Sequence, residues 1–344
     1  MWPHLAVPEQ LADETGARPR VVVVSVAGRA TFAAEDAEAL ERVADVRFLS
    51  RSEAMSPADA AAELGRADVV ALTPKVSPEL SPELLDALPR LRGIALYATG
   101  YDFVDVGMLR ARGVRLSVLP DYSTRSVAEH TLALMLTLSR RVHLGHDRSR
   151  GLVPPTTSLR GFELGGRTLG VIGCGRIGGH VTRLAQGLGM DVLVHDVEPR
   201  PLPGTRQVGR EELLASSDVV TLHCPMAYGA APTVGADEVA LMRRGSVLVN
   251  ASRSALVDTA AVVAAVRTGH LRGYAVDDVV LEDPADADLL VEGRVVQTGH
   301  SAWWSDEVLA RGRRMWARHV EALVLGHPLD EITEPNAAPL AAAR

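Results

Sequence analysis

Residues 171–196, VIGCGRIGGHVTRLAQGLGMDVLVHD, carry three glycines in the spacing Gly173-x-Gly175-x-x-Gly178 and close on an acid, Asp196. In a strand-turn-helix unit, such glycines let the backbone turn tightly and approach a pyrophosphate, while the helix that follows offers it unpaired N–H groups. The acid at the end of the next strand accepts hydrogen bonds from ribose hydroxyls. The spacing therefore points to the holding of a dinucleotide. A tight loop without ligand uses the same spacing, so the flanks decide: TLGVIG reads as a buried strand, RIGGHVTRLAQGLGM as a helix with one apolar face, and DVLVHD as the next strand. A carboxylate at Asp196 repels a 2′-phosphate, so NAD is expected as cofactor in preference to NADP. Arg200 would soften that preference, although a solvated loop charge is its simpler reading.

The elements that must position this turn are legible on both sides of it. About half the chain precedes it, with the apolar runs RVVVVS, ADVRFLS, ADVVALT, LRGIALYAT and VRLSVL alternating with helix-like stretches such as AEDAEALERV and SPELLDALPRL. That rhythm predicts a small parallel-sheet domain. DYSTRSVAEHTLALMLTLSRRVH then predicts a long helix capped by Ser126 that leads to a second domain, through the Pro/Gly/Arg-rich loop RSRGLVPPTTSLRG. After Asp196, SSDVVTLHCP, RGSVLVNAS, RGYAVDDV and GRVVQTGH are strand candidates, with helical stretches such as TAAVVAAVRTGH between them. The segment SDEVLARGRRMWARHVEALVLG reads as one amphipathic helix that returns the chain to the first domain. The fold class is α/β, with a doubly wound coenzyme domain over 121–307 inserted in a discontinuous substrate domain, 1–120 and 308–344. The tail AAPLAAAR is expected to fray.

Bulk composition excludes several classes. With 47% hydrophobic and 23% charged residues, 344 residues make an ordinary globular chain of two-domain size. A net charge of -7 without a Lys/Arg block argues against a nucleic-acid surface. The opening MWPHLAVPEQ lacks the charged and apolar regions of a secretory signal, and no run approaches a membrane span, so a cytoplasmic protein is expected. Cys174 and Cys224 match neither a disulfide framework nor a zinc spacing; they read as small reduced fillers, and no metal is expected.

Taken together, YATGYDFVD, DYSTRSVAEHTLALML, the glycine turn, SDVVTLHCP, LVNASRSALVD, GYAVDD with Glu282, and TGHSAW resemble the D-isomer-specific 2-hydroxyacid dehydrogenases in order and spacing over roughly residues 20 to 336. The resemblance implies a Rossmann coenzyme domain inserted in a flavodoxin-like substrate domain, a cleft between them, and a homodimer formed through the coenzyme domains. It implies a 2-keto or 2-hydroxy acid substrate and a catalytic set of Arg253, Glu282 and His300. Arg253 would hold the substrate carboxylate and keto oxygen. His300 would give a proton to the carbonyl oxygen and take it back in reverse. Glu282 would hydrogen-bond the other imidazole nitrogen. Without the resemblance, His300 reads as well as a satisfied loop histidine, Arg253 as a surface charge, and Glu282 as part of the solvated run EDPADAD.

Further positions follow from the same resemblance. Thr99 and Gly100 match the loop whose backbone meets the carboxylate, and Asp277 the acid that holds the nicotinamide carboxamide. His223, Pro225 and Ala251 match strand-end loops lining the cofactor, and Arg176 and Ile177 fall where the turn meets the pyrophosphate. HSAWWS is similar to the HAAWYS form of the C-terminal-binding-protein branch; there the first aromatic borders the substrate, which makes Trp303 an apolar wall, with packing in the hinge as its other reading and the one that suits Trp304 better. Glu129 and His130 match positions that pin the long helix, and Lys75 reads as a surface lysine with a second reading as an anion contact. Ser254 stands in place of a usual Gly, Gly299 of a usual Pro and Asp278 of a usual aliphatic residue. These departures leave two other activities open: an NAD-sensing binding protein, and a dehydrogenase of formate or phosphite.

Overall fold

Val21–Val24, four β-branched residues buried on both sides, open a sheet of the kind that parallel strands covered on two faces require. The computed structural model describes residues 18–198, 201–226 and 231–329, so Arg200, the first residues and the AAPLAAAR tail lie outside the described residues. Two compact units divide the described chain: 18–122 with 306–329, and 123–305.

The first unit contains β1 (Arg20–Ser25), α1 (Ala34–Val43), β2 (Asp45–Ser50), α2 (Pro57–Leu64), β3 (Val69–Leu72), α3 (Pro82–Asp86), β4 (Gly93–Leu96), α4 (Val106–Ala111) and β5 (Arg115–Ser117). Its five strands are all parallel in the order β2-β1-β3-β4-β5, the flavodoxin-like order. Helix starts are set by short polar chains: the Ser56 and Asp105 side chains accept from the Asp59 and Met108 N–H groups at 3.1 and 2.9 Å. The expected returning helix, Asp306–Leu325, belongs to this unit. Its Trp316 is fully buried, stacks on Phe32 at 5.1 Å between centroids, and donates through Nε1 to Ala95 O at 3.0 Å. A polar hook of this kind lets a large aromatic be buried without an unmet N–H.

The second unit contains α5 (Thr124–Arg140), α6 (Val142–Ser149), β6 (Thr168–Ile172), α7 (Arg176–Gly187), β7 (Asp191–His195), β8 (Thr205–Gln207), α8 (Arg210–Ser216), β9 (Val219–Leu222), α9 (Ala236–Leu241), β10 (Val247–Asn250), α10 (Thr259–Arg267), β11 (Gly273–Val276), α11 (Ala287–Val291) and β12 (Val295–Gln297). Its seven parallel strands run in the order β12-β11-β10-β9-β6-β7-β8. The order reverses between β6 and β9, and ligands of doubly wound sheets sit beyond the carboxyl ends at such a switch point. The edge strand β8 carries no apolar pattern and has no counterpart in the sequence expectations. The expected long helix differs in two ways. It starts at Thr124, with no side-chain cap bond from Ser123, and Ser126 sits inside the first turn, donating to Ala302 O at 2.7 Å instead of capping. It also breaks at Arg141, whose left-handed φ of 53° starts α6 in a new direction.

Candidate active site

The glycine turn lies at the switch point. Gly173 has φ +87°, and a Cβ there would lie 2.5 Å from Cys224 N and 2.6 Å from His223 C, so the turn after β6 rests directly on the loop after β9. A Cβ on Gly178 would lie 2.1 Å from Gly173 O, so α7 starts hard against the turn. By contrast, a Cβ on Gly175 would meet nothing within 4 Å. The open side of the turn is therefore beside Gly175, ahead of α7, where the N–H groups of Arg176, Ile177 and Gly178 precede the helix's own acceptors. Asp196, just past β7, is tied back to the turn: its Oδ2 accepts from Cys174 N at 2.5 Å and its Oδ1 from Glu198 N at 2.9 Å. Each oxygen keeps a lone pair for a ribose hydroxyl. Open backbone, helix N-terminus and anchored acid fit a dinucleotide.

Around this turn the later strand ends carry the remaining candidates. After β9, His223 shares its Nε2 with Thr221 Oγ1 at 3.0 Å, while its Nδ1 is buried without a partner; burial pulls its pKa down to about 3, so the ring is neutral. Pro225 is exposed two residues on. After β10, the buried Asn250 shapes the next turn, accepting from Ser252 N at 3.0 Å and donating to Arg253 O at 2.7 Å. Ser252 Oγ reaches Leu222 O at 2.9 Å. Arg253 is half-buried, with one guanidinium N–H on Ser252 O at 3.0 Å. Ser254 opens a short right-handed helical turn that any residue adopts, so this departure changes no backbone.

After β11 and β12 come the other two members of the expected set. Glu282 is exposed on a segment held to β12 by Gln297, whose Oε1 accepts from Val280 N and Leu281 N, both at 3.1 Å, and whose Nε2 donates to Leu281 O at 3.2 Å. His300 is also exposed, and the expected bond between Glu282 and His300 is not made in this structure. His300 has φ +59° and Gly299 φ +60°, a left-handed pair. Proline is locked near −65°, so the Gly299 departure has a physical reason: this turn excludes proline. The turn is pinned by Asp277, which is 7% exposed: Oδ1 accepts from Thr298 Oγ1 at 2.7 Å and Ser301 N at 2.8 Å, and Oδ2 from Ala302 N at 2.9 Å. Asp278 only ties down its own loop, accepting from Val279 N at 2.9 Å.

An apolar patch joins these pieces. Val127 of α5, Ala251 and Ala302 form a small buried cluster on which Ile177 and Trp303 pack, so residues of the glycine turn, the arginine turn and the histidine turn touch one surface. Trp303 is thus the packed aromatic, while Trp304, expected to pack, is 67% exposed with its ring 5.0 Å from that of Trp303. In the first unit, Thr99 donates through Oγ1 to Leu119 O at 2.7 Å; Gly100 follows it, half-exposed, and Lys75 is exposed after β3. Sequence reasoning missed Val127, Asn250, Gln297 and the anchoring duty of Thr298; for the last three a polar residue closing or following an apolar strand was the only local signal, and Val127 reads as one more apolar residue of α5.

The pattern described as "D-isomer specific 2-hydroxyacid dehydrogenase, NAD binding domain" matches residues 132–302. The chain is 32% identical to a glycerate dehydrogenase of Methylorubrum extorquens over 265 residues, 72% of this chain and 80% of that protein. It is 34% identical to a glyoxylate reductase of Korarchaeum cryptofilum over 269 residues, 75% of this chain and 81% of that one. The crystal structure of D-lactate dehydrogenase from Aquifex aeolicus, complexed with NAD and lactic acid, superposes with a TM-score of 0.74 at 30% identity, covering 89% of this chain and 96% of that one. The chain belongs to the D-isomer specific 2-hydroxyacid dehydrogenase family. It is an NAD-dependent oxidoreductase of that family, and the seven-stranded unit is its Rossmann-type NAD-binding domain. Among the described residues no helix is long and apolar enough to cross a membrane.

Proposed function

We propose that this enzyme interconverts a 2-keto acid and a D-2-hydroxy acid, with Arg253 binding the substrate and His300 exchanging the proton. The observation that carries this reading is the shared patch of Ile177, Ala251 and Ala302, which gathers the cofactor turn, the Arg253 turn and the His300 turn in one unit. When bound, NADH supplies the hydride for the carbonyl carbon. Arg253 places its planar fork on the carboxylate and the keto oxygen, which orients the carbon and offsets charge growing on oxygen. The His300 ring gives its proton to that oxygen, and in the reverse direction takes the hydroxyl proton. Glu282, held near β12 by Gln297, pairs with the other ring nitrogen during turnover and stabilises the imidazolium. Asp277 keeps a free Oδ2 lone pair for the carboxamide of the cofactor. His223, Pro225 and Ala251 line the cofactor, with Arg176, Ile177 and the glycines at its pyrophosphate.

In the other unit, which this reading makes the substrate domain, Thr99 and Gly100 on the loop after β4 are the residues assigned to carboxylate recognition. The Trp303–Trp304 pair supplies the apolar wall for the substrate side chain, with Trp304 holding most of the exposed ring surface. A homodimer through the coenzyme unit is part of this reading, and Val142, 64% exposed on that unit, offers a place to test it. Val142→Glu is expected to shift the mass seen by light scattering from dimer to monomer. A cytoplasmic location accords with two buried, unpaired cysteines.

The deciding experiment follows NADH oxidation by the purified protein with a panel of 2-keto acids at several pH values, beside the His300→Ala variant. The variant should lose about 100-fold or more in turnover and still bind NADH. Unchanged turnover would remove His300 from the chemistry.

A further inference from the structure

The histidine turn sets a physical problem that the proposed chemistry does not solve by itself. A left-handed backbone at a residue with a Cβ costs about 1 kcal/mol, and His300 adopts it next to Gly299, which does so freely. Something outside the turn must hold it there. Asp277 does so through Ser301 N and Ala302 N, but a carboxylate can rotate, and its own orientation needs a fixed partner. That partner is Thr298. The Thr298 hydroxyl has one proton, which goes to Asp277 Oδ1 at 2.7 Å, because a carboxylate offers no proton in return. At its other side, Thr298 Oγ1 lies 3.0 Å from His130 Nε2, so the threonine accepts there and His130 carries its proton on Nε2. A directed chain results: His130 of α5, whose Nε2 also lies 3.7 Å from Asp277 Oδ1, then Thr298 past β12, then Asp277 past β11, then the two N–H groups that follow His300.

We propose that Thr298 and His130 are positioning residues for the proton exchange at His300. This rests on the reading of His300 given above. The pair sets the orientation of the Asp277 carboxylate, and the carboxylate holds the turn so that the His300 ring is delivered in one place. Ser126 Oγ on Ala302 O and Ser301 Oγ on Thr298 O, at 2.7 and 2.8 Å, close the same turn from its other ends. His130 and Ser126 lie a helical turn apart on α5, so one helix face serves the whole device.

The test compares Thr298→Val, which keeps the shape and removes the hydroxyl, with Thr298→Ser, which keeps the hydroxyl. It also compares His130→Phe with His130→Gln, whose terminal amide replaces the Nε2 donor. Full-length variants are assayed for kcat, keto-acid KM, NADH affinity by fluorescence titration, and melting temperature. Thr298→Val and His130→Phe should each lower kcat about 10- to 100-fold, the size expected when a reacting group is misplaced by about 1 Å, with a smaller loss of NADH affinity, since Asp277 also faces the carboxamide. Thr298→Ser and His130→Gln should restore kcat to within about threefold, and Thr298→Val with His130→Phe should be no worse than either alone, since both cut one chain. If Thr298→Val does not fold, the His130 pair and Thr298→Ser carry the test. Equal kcat in Val and Ser variants, or kcat losses that multiply in the double variant, would overturn the proposal. His300→Ala separates the two readings: an active His300→Ala overturns both, whereas an inactive one beside a fully active Thr298→Val overturns only the relay.

Discussion

Two strand-end turns of the seven-stranded sheet, 173–178 after β6 and 298–302 after β12, bear the residues to which the proposed function gives the cofactor and the proton, and they are held in opposite ways. The glycine turn is shaped by missing atoms. Added Cβ atoms at Gly173 and Gly178 would sit 2.5 and 2.1 Å from backbone, so only glycine lets the two loops and the helix close up. The histidine turn is shaped by added atoms: Asp277 past β11 and Ser126 and His130 of α5 bond to it from two other elements, with Thr298 of the turn itself between His130 and Asp277. A pocket for a common cofactor can be written into one short stretch of chain. The placing of the His300 side chain, on the proposed reading the proton-exchanging group, depends on groups that meet only after folding.

The sharpest way to break this comparison is Gly178→Ala. Its methyl faces the Gly173 carbonyl with no flexible side chain to move away, so a cost above the usual overpacking range of about 1–3 kcal/mol is expected. Thermal melts should show a large destabilisation, and fluorescence titration a loss of NADH binding. A variant that keeps both would mean that the turn relaxes freely.

Gly299→Pro attacks the other turn. Proline cannot reach the φ of +60° found there, so the 298–302 turn must rearrange. Turnover is expected to fall about 100-fold, with a smaller loss of NADH affinity because the glycine turn is untouched while Asp277 loses its N–H partners. Full activity in this variant would mean that the left-handed turn is not the one used in catalysis.

Gly175→Ala sharpens the contrast within the glycine turn itself. Because a Cβ there meets no protein atom within 4 Å, melting should stay close to the parent while NADH affinity drops about tenfold from crowding of the pyrophosphate. A stability loss with affinity intact would put the ligand on another side of the turn.

The smallest effect concerns the thiols. Burial pushes the Cys224 thiol up to about 11, and the Cys174 thiol upward as well. Both stay protonated at pH 8, where an ordinary exposed thiol is partly thiolate, so a disulfide reagent should label neither until the protein unfolds. Rapid labelling in the native state would show that the glycine turn opens.

Much of the fold was legible because parallel strands covered on both faces need uninterrupted apolar runs. SDVVTLHCP and RGSVLVNAS could hardly be anything else, and the β-branched chains in them favour strand over helix. The edge strand β8, TRQ, was not legible, since only three partly exposed polar residues form it. Nor was the break at Arg141, where neither glycine nor proline marks the left-handed residue. Ser126 misled for a related reason: a serine near a helix start can satisfy that helix or something else, and here it serves the distant Ala302 carbonyl. Within the site, Gly173, Gly178 and Asp196 announced themselves by local geometry. Thr298 and Gln297 did not, because their bonding partners are 21 and about 16 residues away along the chain.

By itself, then, the sequence determined the two α/β units, the glycine turn, the acid Asp196 that closes the following strand, and the strand-end loops that bear Arg253, Glu282 and His300. These follow from periodicity and from glycine stereochemistry, which act over a few neighbouring residues. Tertiary structure alone decided that Trp303 packs while Trp304 is exposed, that Gln297 tethers the segment bearing Glu282, and that His130, Thr298 and Asp277 together hold His300 in a left-handed turn. Each of these rests on hydrogen bonds or contacts between groups far apart in the chain, and their energy appears only once the sheet has brought the strand ends side by side.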